Sequence, residues 1–213
     1  MAKGRKSPSE VTIKKLLERY NCPVPFHEVR TRFLGNIASP TVSLSPLVVL
    51  KELWDGELPT FDSLDEANEL INALVQGLWN DLTQHQKRSH PFWLVRLPME
   101  PNKANIGRFS LVRLQELDGF IRGLFGSEEE IDLPERAHEA LGHLDELRSI
   151  MAGINELISR DPNADHEQFD DSFMHLRSLT RIMETEIHEA VLSCTRARRQ
   201  SLDSILTQKP TVH

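Results

Sequence analysis

Residues 45–86 read as two helices joined with almost no slack. Ser45-Pro46 opens the first, a capping residue followed by a first-turn proline, and an apolar run leads to Leu53-Trp54. Asp55-Gly56 stops it, because glycine accepts the left-handed backbone that a helix terminus often needs. After Leu58-Pro59-Thr60-Phe61, Ser63 and Glu66 form a capping-box pattern that starts the second. Leu64, Ala67, Leu70, Ile71, Leu74, Leu78 and Leu82 then make one apolar stripe to about Gln86, all of it expected in a core. Such a chain buries helices against helices. No catalytic or ligand-cradling motif interrupts the stretch, so what it specifies is architecture.

The same logic organises the rest. Residues 1–8 read as a disordered basic tail, and Ser9 caps a helix over Glu10–Tyr20 with Val11, Leu16, Leu17 and Tyr20 partly on one side. Asn21-Cys22-Pro23-Val24-Pro25 breaks it, and Phe26–Ala38 forms the next helix, ended by Ser39-Pro40. Pro91, Pro98, Pro101 and Gly107 mark an irregular connector over residues 89–107, dividing a subdomain at 9–88 from one at 108–208. Leu111–Phe125 is helical despite Gly119 and Gly123, which predicts close approach of another helix there.

Ser127 and Glu130 give a second capping-box pattern, with Pro134 read into the first turn of the helix that follows. Its stripe is Ala137, Ala140, Leu141, Leu144, Leu147, Met151, Ile154, Leu157 and Ile158. Asp161-Pro162-Asn163 turns the chain. A last helix to about residue 208 carries Phe169, Phe173, Leu176, Leu179, Met183, Ile187, Ala190, Cys194, Leu202 and Ile205. The expected fold is all-α: a multi-helix bundle with a long antiparallel C-terminal helical hairpin.

Composition narrows the function classes. At 213 residues the chain can bury a substantial core. Its longest aliphatic run, Leu47–Leu50, is far too short to span a bilayer, and the basic N-terminus lacks the apolar core of a secretory signal. Cys22 and Cys194 have neither zinc nor redox spacing and read as reduced thiols of a cytosolic protein. The net charge of −7 is concentrated: residues 126–171 hold 14 Asp/Glu against 3 Lys/Arg. That surface opposes nucleic acid and suits a basic protein partner, with Glu128, Glu129, Glu130 and Asp132 as its candidate contacts. The bland alternative is a solvated face.

No nucleophile elbow, phosphate loop or dinucleotide fingerprint occurs, and no cofactor is assigned. Glu135-x-x-His138 matches once the Glu-x-x-His that a bundle di-metal site needs on two helices, and Glu184 with His188 is spaced at four; together they define an alternative, a metal-dependent helical-bundle enzyme. A second alternative is a helix-turn-helix DNA-binding regulator using residues 12–38, with Lys14, Lys15 and Arg19 on one helix and Arg30 and Arg32 on the other. Arg196, Arg198 and Arg199 sit where cations complement a helix dipole. Phe92-Trp93 is either core or, if exposed, a partner-binding anchor.

Several of these packing motifs also carry a resemblance. Phe33-Leu34, Ser39-Pro40, Ser45-Pro46, Leu53-Trp54-Asp55-Gly56-Glu57-Leu58-Pro59-Thr60-Phe61, Asp65-Glu66-Ala67, Trp79-Asn80-Asp81-Leu82 and Asp118-Gly119-Phe120-Ile121-Arg122-Gly123-Leu124 resemble the YecA/YgfB-like family of all-helical bacterial proteins over residues 30–125. Thr31-Arg32 replaces that family's acidic-Gly pair, and the Cys-rich tail of some members is missing. The resemblance implies an adaptor or regulatory protein without a recognised active site, and it transfers no functional residue. The expected function is therefore non-enzymatic protein–protein interaction in the cytoplasm. Self-association through the last helix is a second use.

Overall fold

The computed structural model describes residues 8–40, 45–98, 100, 102–160 and 169–207, and among them no residue is in a strand. Seven helices account for most of these residues: α1 (Glu10–Arg19), α2 (Phe26–Ala38), α3 (Pro46–Lys51), α4 (starting as Leu64–Ile71), α5 (Lys103–Phe125), α6 (Glu135–Arg160) and α7 (Phe169–Thr207). The fold is the expected all-α bundle. Residues 1–7 of the basic tail and the Asp161-Pro162-Asn163 turn lie outside the described residues. Pro8, assigned to that tail, instead packs on the backbone at Gly77.

The helix starts follow local chemistry. The Ser9 hydroxyl accepts from the Thr12 N–H, and the Ser63 hydroxyl accepts from the Glu66 N–H. Glu66 reaches back to the Asp62 N–H, one residue before its capping partner. A 3-10 turn, Glu52–Trp54, completes α3, after which Asp55 and Gly56 both take positive φ, 54° and 99°.

Past Ile71, α4 continues through a π-helical stretch, Asn72–Trp79, into Asn80–Leu82 and a 3-10 turn, Thr83–Gln86. Its buried stripe is Leu70, Leu74, Leu78 and Leu82, a strict repeat of four. In an α-helix such a repeat drifts about 40° per step, because a turn holds 3.6 residues. The wider π turn drifts the other way and keeps the stripe on one face. Leu64, expected in that stripe, is 83% exposed.

The bundle is built around α2, which packs along α5; α5 packs on α6 and α6 on α7. Predicted close approach at the glycines is observed. A Cβ on Gly123 would lie 2.0 Å from the Arg32 carbonyl oxygen, and one on Gly35 would lie 2.2 Å from that of Phe120. The hairpin of α6 and α7 is antiparallel: Arg136, in the first turn of α6, meets Glu186 at 2.9 Å, well along α7.

Four further expectations change. Val11 is 61% exposed and Ile13 takes its place in the core of α1. The connector ends sooner than Gly107, because the Asn102 side chain accepts from the Asn105 N–H and starts α5 at Lys103. Ser127 and Glu130 cap nothing, since α6 begins only at Glu135; a helix capped at Ser127 would carry Pro134 in its interior, where the ring clashes with the preceding turn. Leu157 and Leu202 are 69% and 50% exposed, so the C-terminal stripes are interrupted.

Candidate functional site

Between α4 and α5 the chain crosses the bundle as an irregular strap over residues 91–98. Over Phe92–Leu94 its side chains alternate as in a strand, and the alternation ends before Arg96. Phe92 and Leu94 are buried, whereas Trp93 is 60% exposed and Arg96 is also exposed. The adjacent rings of Phe92-Trp93 are thus split, one in the core and the other on the surface.

No backbone ladder holds the strap among the described residues. Side chains replace one. Glu184 on α7 accepts from the Leu94 N–H at 3.1 Å, and Glu116 on α5 accepts from the Val95 N–H at 2.9 Å. Arg113 donates to the Val95 carbonyl at 2.8 Å, and Arg30 on α2 donates to the Trp93 carbonyl at 3.2 Å. The Arg30 guanidinium also stacks 5.0 Å over the Phe92 ring.

At the centre is a buried ion pair. Arg113 bonds Glu116 one helical turn away, and its Nε donates to the Thr180 hydroxyl at 3.2 Å. Neither charge reaches solvent appreciably: Arg113 is 3% exposed and Glu116 0%. Burial pushes the Glu116 carboxyl above the usual carboxylate range, against the opposing pull of Arg113 and the Val95 N–H. Burial raises Glu184 too, opposed by the Leu94 N–H and by Arg113, Arg181 and Arg96. Sequence reasoning missed this pair. The signal was there, since Phe109, Arg113, Glu116 and Phe120 share a helical face that is otherwise apolar.

Grooves open on both sides of the strap. One, about 850 Å³, lies against α1, the start of α2 and α5, with Leu17, Phe26, Leu97 and Leu111 among its apolar lining. The other, about 540 Å³, lies against α5 and α7, where Arg177, Thr180 and Arg181 face the strap. Trp93 and residues 94–97 line both, so the two form one surface interrupted by a ridge.

The other candidates do not converge on this surface. Glu128, Glu129, Glu130 and Asp132 are exposed in the loop from α5 to α6. Twelve residues of helix separate Arg113 from Phe125, about 18 Å of rise, so the acidic loop is at the far end of α5. Of the metal alternative, Glu135 and His138 are exposed at the start of α6, Glu184 holds the strap, and His188 is buried on α7. Among the described residues no group of three or more His, Cys, Asp or Glu side chains is arranged to hold a metal ion.

Of the basic residues of the helix-turn-helix alternative, all but the exposed Lys15 are engaged within the molecule. Arg32 meets Glu52, Arg19 meets Glu69, Lys14 meets Glu10, and α2 is buried along most of its length. Arg198 complements a helix dipole, but not that of its own helix: it donates to the Ser39 carbonyl at the C-terminus of α2. No helix of the described residues is long and apolar enough to cross a membrane.

No family model matches the chain, and neither a curated protein nor a solved structure matches it.

Proposed function

We propose that this chain is a non-enzymatic cytoplasmic adaptor or regulator that docks an extended segment of a partner protein along the 91–98 strap. One observation carries the reading: Trp93 is 60% exposed on a segment whose backbone is pinned from three helices. A rigid aromatic beside apolar grooves is the usual anatomy of a binding anchor, because little entropy is lost when the partner covers it. Two supports come from the sequence: the lack of any catalytic motif, and the resemblance of residues 30–125 to a family of adaptor-like helical proteins. Two free cysteines, one of them buried, suit a reducing compartment. The acidic loop at 128–132 does not line the grooves and is a second, separate surface for a basic partner.

Site-specific photocrosslinking in the cells that make the protein tests the reading. A benzophenone side chain at position 93 should give a discrete adduct with another protein, while the same group at exposed Val48 on α3 should not. Equal, diffuse adducts from both positions would refute docking at the strap.

A further inference from the structure

The docking reading leaves the partner's chemistry open, and the charges of the two grooves supply it. The protein as a whole carries −7, yet its grooves are lined by seven Lys and Arg side chains against three Glu. Three of the cations are already engaged. Arg113 serves Glu116, Thr180 and Val95; Arg30 serves the Trp93 carbonyl; Lys14 pairs with Glu10 at 2.8 Å.

The remaining four are Arg96, Arg108, Arg177 and Arg181. All four are exposed and none makes an ion pair or a side-chain hydrogen bond with a described residue, although Arg96 and Arg181 lie within the field of Glu184, whose carboxylate is held by the Leu94 N–H. Arg177 and Arg181 are one turn apart on α7 and so share its face. Arg96 stands on the strap between the grooves, and Arg108 stands on α5 in the larger one. Like charges gathered over low-dielectric walls repel one another unless an anion joins them, and such a cleft focuses the field felt by an approaching ligand.

Resting on the docking reading, we propose that the strap surface binds an acidic, extended protein segment: its carboxylates meet Arg96, Arg177, Arg181 and Arg108, and a bulky apolar side chain lies against Trp93. Arginine suits this role because its planar fork holds carboxylates in two parallel hydrogen bonds. The groove walls favour a peptide over a nucleic acid. Leu17, Val24, Leu97 and Leu111 offer aliphatic contacts, and Trp93 is the exposed ring, whereas single-stranded nucleic acid needs a succession of stacking rings. The overall negative charge further opposes a long polyanion while leaving a short acidic segment to the local field.

Panning a phage-displayed library of random peptides on the full-length protein tests this. Enriched peptides should combine several Asp or Glu with an aromatic or large aliphatic residue. A synthetic consensus peptide should bind more weakly as salt rises. Its affinity should fall about tenfold or more in Arg177→Glu/Arg181→Glu, a loss of roughly 1.4 kcal/mol or more. Trp93→Ala should weaken it as well, while Glu128→Lys/Glu129→Lys/Glu130→Lys should not.

Neutral or basic peptides that enrich and depend on Trp93 would keep the docking reading and overturn the acidic specificity. Acidic peptides that bind the arginine reversal equally well would overturn the proposed site. Failure to enrich any peptide would overturn both. An oligothymidylate that binds more tightly than the consensus peptide, and is lost in the same reversal, would replace the segment by single-stranded nucleic acid. Circular dichroism of each variant checks that these exposed substitutions leave the fold intact.

Discussion

At the scale of single residues, burial decides chemistry that the sequence leaves open. Cys194 is 0% exposed, and burial pushes its thiol up to about 12, whereas Cys22 is only half-buried and raised by the same cause. Because the thiolate is the nucleophile, Cys194 should resist iodoacetamide in the native protein and Cys22 should react first, with both modified in denaturant. Mass spectrometry of the adducts checks the order. His188 is a sharper case. It is 9% exposed, and neither ring nitrogen has a partner in hydrogen-bonding geometry. Burial lowers its pKa, opposed by Glu189 and the Arg88 backbone, and His27 and His85 are also lowered chiefly by burial. A folded pKa depressed below the unfolded value of about 6.5 means stability that is present above that pH and lost as pH falls through the folded value. His188→Leu should therefore be no less stable at pH 8, since an unsatisfied polar group is removed. It should also lose less stability than the parent below about pH 6.5. A steeper acid loss in thermal melts of the variant would contradict the assignment.

Among the elements, α2 and α5 depend on their glycines. The contact of Gly35 and Gly123 with opposing backbone leaves no room for a methyl group. Gly123→Ala gains helix propensity of about 1 kcal/mol in isolation. Forcing the helices apart should outweigh this, for a net loss of about 2 kcal/mol or more, read as a lower urea midpoint. A rise in the midpoint would contradict so close a contact between the two helices. Position in the chain already pointed to this contact, since two glycines four apart in a helix need a compensating neighbour. The identity of that neighbour was not legible, because Thr31-Arg32 and Gly35 lie nearly ninety residues away and nothing local pairs them. Helix starts were legible at the side-chain caps Ser9 and Ser63, but the equivalent cap at Asn102 was hidden inside the proline-marked connector. They failed at Ser127, where the same pattern occurs but Pro134 excludes the helix.

The whole molecule turns on how the strap is held. Removing one member of a buried ion pair strands the other charge, so Glu116→Ala should cost about 3–5 kcal/mol. The double variant Arg113→Met/Glu116→Leu should recover part of that loss. About 1–3 kcal/mol should remain, because the Val95 N–H and carbonyl would have no partners. Hydrogen exchange at Leu94 and Val95 should speed up in both, which separates release of the strap from general unfolding. By itself, the sequence determined the all-α class, most of the helix bodies and the helical hairpin, since periodicity, caps and prolines act within a few residues. Exposed positions such as Val11, Leu64 and Leu157 escaped it, because an apolar residue on a stripe is buried only if something covers that turn. Only the tertiary structure decided that Phe92 is core and Trp93 surface, that Arg113 and Glu116 stand in for a strand, and that four arginines from the strap, α5 and α7 line the two grooves beside it. Those outcomes depend on which helices meet, and a contact between residues 94 and 184 leaves no trace in the local pattern of either segment.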